Sequence, residues 1–418
     1  MCKKFLSLCL LWLCFVPLWA QEDVTFDETD DNGSDTALVD TFPADSVQQA
    51  WPRGLQARLQ QMVDDPLFER SQLSLMVFDL TDDSLIFAHR PRQLMRPAST
   101  MKLLTAVAAI DRLGGSHRFR TSLRYTGTVD SGVLDGRLYV VGGFDPRFNT
   151  DDMNAFVESL QKMGVDTIRG AVLMDKTMKD GKQWGAGWCW DDRNPVLSPL
   201  TVNGKDRFAE VFMQKVRQAG IVVEATVSEE RCPPAAFEIC SRFHSLDQVL
   251  HRMMKESDNL YAEAMFYQMG TNDGTQTATA KAAAAVVNGL VSKVGLPASD
   301  YRIADGSGLS LYNYVTAELE LAFLRYAFQN ANIFHHLYAS LPVAGRDGTL
   351  KSRMRGSFAS GNVRAKTGSV AGVSSLAGYC TASNSHTLCF VFIHNGLRTV
   401  APARRFQDRV CHLLCSPQ

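Results

Sequence analysis

Residues 97–111 read PASTMKLLTAVAAID, and this stretch decides how the chain is built. Pro97 stands ahead of a first helical turn, where its missing N–H costs nothing. Leu103, Leu104, Val107, Ala108 and Ile110 recur at helical spacing, and Gly114-Gly115 stops the run. The pattern predicts a buried helix. On such a helix residues i and i+3 share a face, so the Ser99 hydroxyl meets the Lys102 amine. A serine nucleophile needs that geometry if a lysine is to take its proton. The signal alone is weak, since Ser159 and Lys162 repeat it in DDMNAFVESLQKMG, which reads as an ordinary solvated helix face.

Outward from this helix, two more clusters answer it. Ser257-Asp258-Asn259 lies in the helical stretch SLDQVLHRMMKESDNLYAEAMF, and Lys366-Thr367-Gly368 lies in the strand-like NVRAKTGSV. Either triplet alone has a bland reading, as a helix irregularity or a strand end, and Ser360 to Asn362 is a decoy for the first. Three motifs in this order, each on a fitting element, carry more weight than any one.

The rest of the chain supplies the frame. LSLMVFDL and SLIFAHR form a predicted hairpin around TDD. From about 121 to 245 short strands and helices alternate, interrupted by the tryptophan-rich loop QWGAGWCWDD. Helices dominate from 246 to 329, and three strands and a helix over 401–415 close the chain. Sheet elements at both ends around a long middle excursion predict an α+β fold.

Composition narrows the class. Lys+Arg number 43 against Asp+Glu 44, for a formal charge of −1, and no basic run points to nucleic acid. Lys3 and Lys4 precede the apolar run FLSLCLLWLCFVPLWA, which predicts a signal peptide over residues 1–20 that is cleaved off, leaving no permanent membrane anchor. Residues 21–44 are acidic and poor in large apolar side chains, as expected of a disordered spacer. Three of the ten cysteines leave with the signal, so the seven that remain include at least one free thiol. Cys232 and Cys240 bracket CPPAAFEIC and are candidates to bridge a loop, while Cys380 and Cys389 read as buried hydrophobes. No spacing suggests a structural metal, and no cofactor is expected.

The three motifs together resemble those of the penicillin-recognising serine enzymes. VVGGFDP, GWCWDDRNPVLSPLTVN, SDNLYAEAMF, DGSGLSLYN, LPVAGRDGTL and VRAKTGSVAGVSSLAGY narrow the resemblance to class C penicillin-binding proteins. These are D-Ala-D-Ala carboxypeptidases/endopeptidases of the penicillin-binding protein 4 type, peptidase family S13, and the likeness runs from about 45 to 415. It implies the penicillin-binding/serine β-lactamase-like transpeptidase fold over 45–120 plus 246–418, with an inserted smaller α/β domain over 121–245. The family usually nests a third domain in that insertion. Only 154 residues separate Lys102 from Ser257 here, which places a deletion near Asn203 to Arg207. Leu311 departs from the arginine often found after DGSGLS.

The resemblance also assigns roles. Ser99 is the expected nucleophile and Lys102 its base, made useful if burial and Lys366 lower its pKa. Ser257 would relay a proton to the leaving amine, and Asn259 would hold the substrate amide. The N–H groups of Ser99 and Ser369 would form the oxyanion hole. Lys366 and Thr367 would bind the free carboxylate of a terminal D-alanine, and Gly368 would let substrate lie along the strand. Asp145 of the GGFDP loop is a candidate contact to the diamino acid of the stem peptide, although Asp-Pro is also a turn signal by itself. The expected partners are peptidoglycan stem peptides ending in D-Ala-D-Ala and β-lactam antibiotics, in the periplasm. A serine β-lactamase and a catalytically silent scaffold of the same fold are the alternatives.

Overall fold

The computed structural model describes residues 51–271 and 277–417 of the 418. The expected signal peptide and acidic spacer lie outside them. Helix α1 (Arg53–Val63) leads into the hairpin β1 (Gln72–Asp79) and β2 (Ser84–His89), followed by α2 (Met101–Leu113). Every residue of α2 from Met101 to Ile110 is buried, Lys102 included. Gly114 ends the helix at φ 78°, a left-handed angle suited to glycine.

A second group of elements follows: β3 (Arg118–Asp130), β4 (Val133–Val141), α3 (Thr150–Lys162), β5 (Thr167–Asp175), α4 (Phe208–Gln218), β6 (Val222–Glu229) and β7 (Phe237–Ser245). Their strands form one mixed sheet in the order β6-β5-β4-β3-β7. Helices α3 and α4 cover one face through Phe156, Leu160, Phe208 and Phe212. Between β5 and α4 the chain turns on Asn203-Gly204. Both residues have positive φ, and Val202 and Lys205 exchange backbone hydrogen bonds at 3.0 Å. That is a two-residue turn of the kind Asn-Gly favours.

The chain then runs through α5 (Leu246–Lys255), α6 (Asn259–Met269), α7 (Ala280–Lys293), α8 (Ala317–Gln329) and α9 (Ala331–Ser340). It continues to β8 (Arg364–Val370), β9 (Val373–Thr381) and β10 (Thr387–Asn395), and closes with α10 (Ala401–Cys415). These strands pair with the first hairpin in the order β2-β1-β10-β9-β8, antiparallel throughout. Helices α1 and α10 pack on one face of this sheet, through Leu55, Leu59, Phe406 and Val410. The other face joins the core of α2 and α5–α9. Buried on both faces, β1, β9 and β10 are nearly continuous apolar runs rather than alternating ones. The α+β expectation is met.

Three local readings change. The stretch expected to continue as helix through residue 257 breaks there, because Ser257 adopts φ 57°. Asp258 then caps α6 by accepting from Leu260 N at 3.1 Å. Helix α9 has no counterpart in the sequence reading. Cys232 and Cys240 are both free thiols. Cys232 packs with Tyr139 and Leu173, whereas Cys240 packs with the α3/α4 cluster. Successive strand residues alternate faces, so the two thiols sit on opposite sides of the second sheet. Ser159, the decoy, donates to Ala155 O at 2.7 Å within α3.

Candidate active site

Ser99 sits in a single tight turn, Ala98–Thr100, at the head of α2. One turn later the Lys102 amine is fully buried. Its Nζ lies 3.0 Å from Ser99 Oγ, 2.7 Å from Asn259 Oδ1 and 2.8 Å from Ser307 O. The second lysine is equally buried: Lys366 Nζ donates to Ser257 Oγ at 2.8 Å and to Thr367 O at 2.7 Å. The structure thus gathers Ser99, Lys102 and Asn259 into one hydrogen-bonded set and Ser257 and Lys366 into another, joined by the 257–259 turn. The left-handed Ser257 makes that junction. It ends α5 so that α6 begins with Asn259 facing Lys102.

Strand β8 forms the opposite wall. A Cβ on Gly368 would lie 2.7 Å from Pro97 O and 3.1 Å from Ser99 N, so only glycine lets the strand pass this close to the Ser99 turn. Ala365 N donates away from β9, to Pro342 O at 3.0 Å. In an antiparallel ladder such outward groups recur every second residue, so Thr367 and Ser369 turn their backbone to the open edge. Thr367 Oγ1 donates to Thr349 Oγ1 at 2.7 Å, and Ser369 Oγ accepts from Arg404 Nη2 at 3.4 Å. Beside Ser257 and Asn259 an open recess of about 340 Å³ continues to Arg193–Pro195.

The structure also shows supports that the sequence reading passed over. Glu263, one turn after Asn259 on α6, accepts from Gly306 N at 3.1 Å and Ser307 N at 2.8 Å. Asp305 accepts from Trp188 Nε1, Gly308 N, Ser310 N and Asn313 Nδ2 at 2.7–2.8 Å. Together they fix the 305–310 loop that presents Ser307 O to Lys102. Burial, reinforced by Asp305, pushes the Glu263 carboxyl up to about 8.

Behind Ser99, Thr100 Oγ1 lies 2.8 Å from Pro97 O and 2.7 Å from Glu320 Oε1. One hydroxyl hydrogen cannot serve both, and Pro97 O can only accept. The second contact therefore takes its hydrogen from Glu320, a neutral acid whose carboxyl burial pushes up to about 8. Its Oε2 is buried without a hydrogen-bond partner among the described residues, a position too costly for a carboxylate. Spacing held a signal for both glutamates. Glu263 is four residues after Asn259, and Glu320 falls between Ala317 and Leu324 on the apolar face of α8.

Asp145 is buried. Its side chain has no exposure, accepting from Arg147 N at 3.0 Å and pairing with His244 Nδ1 at 2.7 Å. Burial raises its carboxyl above the usual range. The structure ties it between the second sheet and its own loop and leaves no face open to a substrate. Elsewhere Asp79, Asp82 and His386 bring three potential ligand atoms within 4.8 Å of one another, but His386 Nδ1 is already engaged by Asp79 Oδ2 at 2.6 Å. No described helix is long and apolar enough to cross a membrane.

Known proteins carry the same arrangement of elements. The model of the D-Ala-D-Ala carboxypeptidase 3 (S13) family matches residues 55–201 and 197–413. The chain is 26% identical over 418 aligned residues to the D-alanyl-D-alanine carboxypeptidase DacB of Haemophilus influenzae, covering 79% of this chain and 87% of that one. The crystal structure of penicillin binding protein 4 (dacB) from the same organism superposes with a TM-score of 0.77 at 24% identity, over 85% of this chain and 98% of the other. Its complex with a novel β-lactam gives 0.73 at 25%, over 86% and 99%. This chain belongs to the D-Ala-D-Ala carboxypeptidase 3 (S13) family.

Proposed function

We propose that the chain cleaves the D-Ala–D-Ala bond of peptidoglycan stem peptides through an acyl-enzyme on Ser99. The observation that carries this reading is the buried Lys102 amine 3.0 Å from Ser99 Oγ. Burial strips an amine of the hydration that favours its charged form. With two N–H groups engaged by Asn259 Oδ1 and Ser307 O, the neutral amine turns its lone pair to the Ser99 hydroxyl.

Ser99 Oγ attacks the carbonyl of the penultimate D-alanine, and its proton passes to Lys102. The carbonyl oxygen becomes an oxyanion between the N–H groups of Ser99 and Ser369, which the outward alternation of β8 supports. The C–N bond breaks as Ser257, hydrogen-bonded to Lys366, delivers a proton to the departing amine of D-alanine and takes the proton held by Lys102 in its place, which returns Lys102 to the neutral amine. Lys366 and Thr367 hold that product's carboxylate. Water then attacks the ester, its proton goes to Lys102, and Ser99 is restored.

The same reading takes 45–120 plus 246–418 as the peptidase domain and 121–245 as an insertion. The two family-matched segments meet at residues 197–201, next to the Asn203-Gly204 turn, which supports the loss of the nested third domain there. Export by a cleaved leader into the periplasm, and work there on the cell wall, belong to this proposal as well.

The test is intact-protein mass after incubation with benzylpenicillin, for wild type and Ser99→Ala. A long-lived single adduct on the wild type alone is expected. A short-lived adduct with penicilloate accumulating would make the chain a β-lactamase, and no adduct would make it a silent scaffold.

A further inference from the structure

The catalytic set makes no use of the tryptophan-rich loop 183–194, yet the loop is firmly built. Leu197 N donates to Gln183 O at 2.9 Å and Leu311 N to Gly187 O at 3.0 Å. Ser310 Oγ donates to Ala186 O at 2.6 Å, and Trp188 Nε1 to Asp305 Oδ2 at 2.8 Å. The loop is therefore pinned to the 305–311 segment, whose other side presents Ser307 O to Lys102. Its tip folds back on itself, with Asn194 Nδ2 donating to Cys189 O at 2.6 Å. Arg193 and Asn194 are thereby held as one wall of the recess that opens beside Ser257 and Asn259.

One charged group on that wall is unspent. The Arg193 side chain is exposed and makes no ion pair within 4 Å among the described residues. The one carboxylate in the recess, Asp258, is already held by Arg252 Nε at 2.9 Å and by its helix cap. An exposed guanidinium on the wall of an open recess suits a carboxylate. Asp191 and Asp192 directly precede Arg193 in sequence, so attraction to an anion is short-ranged and needs direct contact with the guanidinium.

We infer that this recess is a subsite for the acyl-donor part of the substrate, in which Arg193 binds a second carboxylate upstream of the D-Ala-D-Ala end. The inference rests on the peptidase reading above. In that reading the terminal carboxylate is bound across the cleft by Lys366 and Thr367, so an anion beside Asn259 belongs to the part of the peptide that stays on Ser99. The preferred substrate is accordingly an acidic peptide.

The experiment compares kcat/KM for N-acetyl-γ-D-Glu-L-Lys-D-Ala-D-Ala, with its free α-carboxylate, and for the same peptide carrying an α-carboxamide. Wild type favours the acid. In Arg193→Ala the acid-to-amide ratio falls about tenfold, the scale of one charge-assisted contact. Arg193→Lys restores part of it, and added salt lowers the wild-type ratio. A ratio unmoved by Arg193→Ala, including the case where both peptides slow in step, overturns the inference while leaving the peptidase intact. A wild type that cleaves neither peptide overturns the peptidase reading and this inference with it.

Discussion

Glu320→Gln is expected to flatten the loss of stability between pH 5 and pH 8. The Glu320 carboxyl stands at about 8 in the folded protein against 4.5 for a free side chain, and burial is the main cause. Below both values the group is protonated whether the chain is folded or not, and costs nothing. As pH rises past the lower value the unfolded chain sheds the proton first, so stability falls until the folded carboxyl ionises as well. With these two values the linkage relation gives a loss of about 3.5 kcal/mol from pH 5 to pH 8. Glutamine does not ionise in either state, and its amide still offers Thr100 Oγ1 an N–H. At ~2.1 cal/mol/K of unfolding entropy per residue, the two proteins should separate by about 4 °C in Tm over that interval. Glu263, also at about 8, is present in both proteins and cancels from the comparison. The assay is urea and thermal unfolding of both at pH 5 and pH 8, with benzylpenicillin acylation as the check that the Ser99 turn is intact. Equal pH slopes would refute the reasoning: Glu320 would be ionised in the fold, and the Thr100 hydrogen would point to it rather than to Pro97 O.

Asp305→Ala leaves four close donors without their acceptor and should cost about 4 kcal/mol in urea unfolding. It should also slow acylation, because Ser307 O loses its seat behind Lys102; a variant as stable as wild type would contradict the role given to that loop. Gly368→Ala forces a Cβ against the backbone at Pro97 and Thr100, which cannot withdraw as a side chain tip would. The expected result is at least a tenfold slower acylation by a fluorescent penicillin in stopped flow, with a stability cost of about 1–3 kcal/mol.

What could be read from the chain depended on how locally each feature is encoded. The Ser99–Lys102 pair was legible because helix geometry alone brings i and i+3 together. The pairing of Lys102 with Asn259 and of Ser257 with Lys366 was legible through the set of motifs. The left-handed angle of Ser257 carries no mark in sequence, although Asp258 behind it is a cap residue that signals a new helix start. The surroundings of Asp145 were hidden for another reason: its partner, His244, lies 99 residues away on β7, and such a pairing leaves no trace in local spacing. Glu263 and Glu320 were within reach, because charged residues in phase with an apolar helix face announce a buried polar contact.

The strand that lines the cleft has a consequence for the protein's behaviour in a crowded solution. An open sheet edge invites other chains to pair with it and so to aggregate. In β8 the first part of that edge is closed by Pro342 and Ala344, and outward backbone remains only at Thr367 and Ser369. Two outward residues are too few to hold another protein's strand in register, and the Ser99 turn walls off the space where its neighbours would lie. An edge this short accepts a single extended peptide but gives no foothold to a sheet. Reactivity and solubility are therefore reconciled by the length of the opening rather than by charge.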